Sequence, residues 1–146
     1  MTEIGFYHLT RSTLAQALPR LLARTLASGQ RALVVAKSAA DLDRLSAALW
    51  AQPAWLPHGS AAEGDPDLQP IWLSLAPEAL NGARFLFLVD DVAADRLDEF
   101  DRVFAIFDGN DSAVVEAARA RWKASKAAGH VLTYWQQTET GWQKKA

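Results

Sequence analysis

Three arginines in this chain are each followed by five apolar residues in a row, in the stretches Arg31 to Ala36, Arg84 to Val89 and Arg102 to Phe107. A strand with one wet face alternates polar and apolar residues. A strand that is apolar throughout must be covered on both faces. Leucines at helical spacing separate these runs: Leu14, Leu18, Leu21, Leu22 and Leu26 form one stripe, and Leu42, Leu45 and Leu49 another. With Ile4 to His8 as a first strand, the order is strand, helix, strand, helix. That order predicts βαβ units and a mostly parallel sheet flanked by helices, an α/β Rossmann-like fold. At 146 residues the chain has the size of one ordinary domain.

Local signals place the elements. Ser12 precedes the first helix, Pro19 bends it or marks its start, and Ser28-Gly29 ends it. Ser38 with Asp41 three residues on resembles a capping box for the second helix. Ser60 to Asp67 reads as a loop, Pro70 to Leu75 as the third strand, and Ala76 to Gly82 as a connection with room for one helical turn. Arg84 to Val89 is expected to be central in the sheet. Asp108 to Asp111 is turn chemistry ending in a helix cap. A helix then runs to Gly129, and His130 to Trp135 is the last strand. Gln136 to Ala146 is polar apart from Trp142.

Composition narrows the function classes. There is no cysteine, so thiol catalysis, zinc–thiolate sites and disulfides are excluded. The N-terminal residues lack a secretory pattern and no apolar run is long enough to span a bilayer, which points to a cytoplasmic, non-membrane protein. A net charge of −2 argues against direct DNA binding over a broad surface. A direct nucleic-acid-binding module using one basic helix is kept as the alternative.

No catalytic motif is found. Val89-Asp90-Asp91 has the look of an acidic strand end, yet neither a Walker A loop nor a G-x-G-x-x-G accompanies it, so no functional nucleotide-binding loop is expected. His8, His58 and His130 are far apart and outside any metal-ligand spacing. No metal, cofactor or catalytic residue is assigned.

Two stretches remain as contact surfaces. The first is the helix from Asn110 to Gly129. At about 100° per residue, Arg119, Trp122, Lys123 and Lys126 share one face roughly 100° wide, while Arg121 points the other way. Cations beside an indole suit a ligand that is both anionic and apolar. A solvated basic face near a helix C-terminus is the other reading of the same residues. The second stretch, Ala48 to Gly59, keeps Trp50, Trp55 and Leu56 among two prolines. Apolar residues in an irregular segment suggest contact with a partner, with Trp50 expected mostly in the core and Trp55 more available.

Taken together, these features resemble the chi subunit family of bacterial DNA polymerase III. The resemblance runs from the Phe6-Tyr7 strand through the helix ending at Ser28-Gly29 and the strand Arg31 to Ala36. Leu45 to Trp50 and Pro57-His58 match the family's Leu-Asp-x-x-Leu-Trp and Pro-His, with Ser46 in the acidic place. Ala118 to Ala124 and Ala128-Gly129 match its Ala-Arg-x-Arg-Tyr/Trp-Lys and Ala-Gly. The resemblance implies a non-catalytic accessory subunit of the clamp-loader assembly with two partners. One is the psi subunit, expected on Trp50, Trp55, Leu56, Pro57 and His58. The other is the acidic C-terminal tail of single-stranded-DNA-binding protein, which ends in an aromatic residue with a free carboxylate. That tail is expected on Arg119, Trp122, Lys123 and Lys126. A lysine that a member of the family carries one turn before the arginine has no counterpart here, where the matching place is Val114 or Val115.

Overall fold

In the computed structural model, which describes residues 2–52, 56–60, 64–89, 92 and 97–146, each continuous apolar run is a strand. In chain order the elements are β1 (Glu3–Leu9), α1 (Leu14–Ala27), β2 (Ala32–Val35), α2 (Ala39–Trp50), β3 (His58–Ser60), β4 (Ile71–Ser74), β5 (Phe85–Val89), β6 (Arg102–Asp108), α3 (Ser112–Ala127), β7 (Val131–Thr138) and β8 (Gly141–Lys144). One sheet holds all eight strands in the order β3-β4-β2-β5-β6-β1-β7-β8. Every pairing is parallel except β7 with β8. β5 is central, as its uninterrupted apolar sequence requires.

The sheet separates two apolar layers. Leu18, Leu22, Leu45 and Leu49 pack from α1 and α2 onto Val34, Phe87 and Ile106. On the opposite face Ala118 and Trp122 of α3 meet Ile4, Phe6, Leu33 and Val103. Parity along each strand explains the division, since successive side chains point to opposite faces.

The helix ends follow from local chemistry. α1 begins at Leu14, so Pro19 lies inside it and not at its start. Gln16 Oε1 accepts the Thr13 N–H at 3.0 Å, closing the first turn. Ser38 Oγ accepts the Asp41 N–H at 3.2 Å at the start of α2. Asp111 Oδ1 accepts from Ala113 N and Val114 N at the start of α3. α3 ends in a Schellman motif: His130 N donates to Ser125 O at 3.2 Å and Gly129 N to Lys126 O at 3.1 Å, with Gly129 at φ 87°. Between β6 and α3 the chain passes directly over the His8 ring. A side-chain carbon at Gly109 would collide with that ring and with the Leu9 carbonyl, so only glycine fits.

Four expectations are corrected. Trp50 is 61% exposed, because it is the last residue of α2 and lies beyond the leucine stripe that faces the sheet. Ser60 belongs to β3, a three-residue strand too short to show a period. The segment between β4 and β5 contains turns and no helix. The polar stretch after Trp135 extends β7 to Thr138 and returns as β8. Its polarity reflects a sheet end that no helix covers fully. Trp55, Asp90, Asp91 and Asp95 lie outside the described residues.

Candidate functional site

In a doubly wound sheet, ligands bind beyond the carboxyl ends of the strands, where loop amides and a helix N-terminus receive phosphate. Here the loop from β1 to α1 has its amides engaged internally. Gln137 Oε1 on β7 accepts from the N–H groups of Thr10, Arg11 and Ser12 at 3.2, 2.9 and 3.0 Å. Gln137 Nε2 donates to Ser12 Oγ at 2.6 Å, and Thr10 Oγ1 donates to the Gln137 carbonyl at 2.9 Å. A neutral carboxamide oxygen thus fills the place that a phosphate oxygen takes in a nucleotide binder. Among the described residues, no three His, Asp or Glu side chains lie close enough together to hold a metal ion.

The basic helix opens onto a real concavity. A cleft of about 600 Å³ lies between α3 and the end of the β7–β8 ribbon. Arg119, Trp122 and Lys123 line it from the helix, and Tyr134 and Lys145 from the sheet. Lys126, one turn further along, is exposed and outside this lining. Arg121 turns away, over Ile4, Phe6 and Val103.

The cleft floor is aromatic and rigid. The half-buried Trp122 indole stands edge-on to Phe6 at 5.3 Å and to Tyr134 at 5.8 Å between ring centroids. Tyr134 is fixed in turn by His8, whose Nδ1 lies 2.6 Å from the phenol oxygen. Burial holds the His8 imidazole below its ordinary value, and Arg119 pushes the same way, while a Gly109 backbone hydrogen bond and Asp108 oppose them. With the ring neutral and its proton on Nε2, Nδ1 accepts the Tyr134 O–H. Burial also raises the Tyr134 phenol, partly offset by Arg119. The floor therefore stays neutral near pH 7 and the charge sits on the rim.

Arg119 on that rim is loosely held. Its guanidinium lies 3.6 Å from Glu116 Oε1, with both side chains mostly exposed. Such a pair is worth well under about 1 kcal/mol and yields readily to a better anion. Tyr134 and Lys145 escape the helical wheel because they arrive from elsewhere in the chain, Tyr134 from β7 and Lys145 from just after β8. Strand parity carries a signal for Tyr134: it alternates with Trp135 and so faces the α3 layer.

The Trp-Pro stretch is built differently. Leu56 and His58 are buried and Pro57 is partly buried. His58 Nε2 lies 2.9 Å from Ser46 Oγ, and Nδ1 lies 2.9 Å from the Leu56 carbonyl. The ring so fixed supports Trp50, 4.6 Å away between centroids and tilted by 46°. Trp50 is thus an exposed indole on a rigid base, beside the edge strand β3.

With both surfaces described, comparison with known proteins decides the family. The model of the DNA polymerase III chi subunit family, HolC, matches residues 1–133. The chain belongs to the chi subunit family. No curated protein matches it. The chi match covers every element from β1 to the start of β7, including the whole of α3. A chi protein is an accessory subunit of DNA polymerase III and acts in DNA replication as part of the clamp-loader assembly. No described helix is long and apolar enough to cross a membrane.

Proposed function

We propose that this chi-family chain is a non-catalytic bridge, joining the psi subunit to the C-terminal tail of single-stranded-DNA-binding protein. One observation carries the reading: a cationic rim and a neutral aromatic floor meet in one cleft. The tail's terminal carboxylate pairs with Arg119, whose planar fork suits bidentate contact. Its terminal ring lies against Trp122 and Tyr134. Acidic residues further up the tail reach Lys123, Lys126 and Lys145 along the rim. Lys145 supplies a cation from the sheet where Val114 and Val115, packed against the core, supply none from the helix. The family's partners support the choice of ligand, and the chemistry of the cleft supports its location.

The test is fluorescence anisotropy of a labelled acidic peptide ending in phenylalanine. The wild type is expected to bind saturably and more weakly as salt rises. Arg119→Ala is expected to lose about tenfold or more, the worth of one charge-assisted hydrogen bond. Unchanged affinity in that variant would move the tail elsewhere.

Psi is proposed on the other surface, with exposed Trp50 as its anchor and Leu56, Pro57 and His58 beside it; Trp55, expected there from sequence, lies outside the described residues. Leu56 and His58 act there by holding Trp50 and the edge strand in shape. Replacing an interface tryptophan typically costs about 2 kcal/mol or more, roughly thirtyfold. Trp50→Ala is therefore expected to weaken psi capture by that factor while leaving tail binding unchanged. Equal psi capture by wild type and variant would remove Trp50 from the interface.

A further inference from the structure

The helices on the α1 side cover the sheet unevenly. α1 packs chiefly on β2 and β6 and α2 on β4, which leaves β7 and β8 flanked rather than covered. A groove of about 480 Å³ runs between α1 and the β7–β8 hairpin. It lies on the opposite side of the sheet from the Trp122 cleft.

Trp142 lines the groove and ends a row of rings that runs across adjacent strands through the buried Tyr7. Trp135 on β7 lies next to Tyr7 on β1, with ring planes 9° apart and centroids 6.2 Å apart. Trp142 on β8 stands edge-on to Tyr7 at 5.2 Å. Pairing of Gln137 with Trp142 and of Trp135 with Lys144 puts both indoles and Lys144 on this one face. Both indoles are only half-buried.

Its walls are basic. Arg11, Arg20 and Arg24 line the groove. Arg20 and Arg24 stand one turn apart on α1, about 6 Å along its axis. Neither is ion-paired with a described carboxylate. Arg102, lying over the Phe104 ring at 4.9 Å, continues the track through a hollow it shares with Arg24. Five cations on this face oppose three carboxylates: Glu139, which pairs with Arg11 at 3.2 Å, Glu3, and Asp108 at the end of β6. The net charge of −2 conceals this asymmetry.

A positive track beside sequential aromatic rings is the arrangement that receives single-stranded nucleic acid, phosphates on the cations and bases on the rings. Duplex DNA hides its base faces from such rings. We propose that the groove between α1 and the β7–β8 hairpin binds single-stranded DNA, with phosphates on Arg20 and Arg24 and a base against Trp142 in the groove, and the DNA running on past Trp135 and Lys144 on the same sheet face. The proposal stands independently of the tail cleft.

Anisotropy of a labelled oligothymidylate with the full chain tests it. Binding is expected at low salt, with a slope of log affinity against log salt near −2 for three phosphate contacts at about 0.7 each. Arg20→Ala with Arg24→Ala should flatten that slope by about 1.4 and reduce low-salt affinity about tenfold or more. Both side chains are exposed, so the fold survives, and Lys144→Glu provides an independent variant with loss in the same direction. Arg119→Ala should leave oligonucleotide binding unchanged, which separates this outcome from that of the tail assay. No binding at low salt, binding indifferent to the arginines, or equal competition by polyglutamate would overturn the proposal.

Discussion

Arg119 illustrates how one residue can be prepared for a ligand without being committed to it. Its contact with Glu116, at 3.6 Å and open to water, orients the guanidinium weakly. Glu116 also places a negative charge on the rim that an acidic ligand must approach. Glu116→Gln removes both effects. It is expected to raise affinity for the acidic tail peptide by about two- to fivefold, the scale of one exposed ion pair, as read by anisotropy titration. A fall in affinity would mean that Glu116 positions Arg119 productively. Trp122 shows a second residue-scale point. Helical spacing places it with the cations, but it also reaches the core through Phe6 and Tyr134. A wheel drawn from sequence assigns each residue one direction, whereas a large indole at the edge of the buried face serves two surfaces at once.

Among the elements, the loop between β1 and α1 shows how this sheet differs from a nucleotide binder. Gln137 occupies its amide nest from β7, more than a hundred residues away in the chain. Gln137→Ala leaves three N–H groups without their acceptor. Partial exposure of the loop lets water replace some of that loss, so stability is expected to fall by about 1–3 kcal/mol. Urea unfolding with and without sulfate checks the assignment: sulfate should restore the variant more than it stabilises the wild type, because the vacated nest accepts an anion. Equal sulfate effects on both would show that the loop collapses instead. Sequence showed the absence of a phosphate motif but not what replaced it, since a single glutamine in a polar stretch carries no period or spacing. The same limit hid β8 and Lys145. Two strands at a sheet end lack the full apolar cover that makes β2, β5 and β6 legible. By contrast, the caps at Ser38 and Asp111 and the stop at Gly129 were legible because each depends on neighbours within a few residues.

On the scale of the whole molecule, a layered sheet keeps the proposed contact surfaces apart. Trp50 lies by the β3 edge, the Trp122 cleft on the α3 face, and the Arg20–Trp142 groove on the α1 face. Separation of this kind suits an adaptor, because occupying one surface does not obstruct another. The parallel sheet was readable from continuous apolar runs alternating with leucine-striped helices. The cleft was readable only as its helical half, because its sheet half depends on which strand neighbours β1. Trp50 was misplaced for a related reason: an indole at a helix end can turn inward or outward, and the buried His58 that supports it lies eight residues on.

An acidic, aromatic-ended peptide is proposed to enter the cleft between α3 and β7. The most direct measurement is a titration of the isotope-labelled protein with the tail peptide, followed by two-dimensional NMR. Shifts are expected to concentrate at the Trp122 indole N–H and at the amides of Arg119, Lys123, Tyr134 and Lys145, with the Trp50 and Trp142 indoles unmoved. Shifts centred on Trp50 or Trp142, with Trp122 still, would contradict that placement.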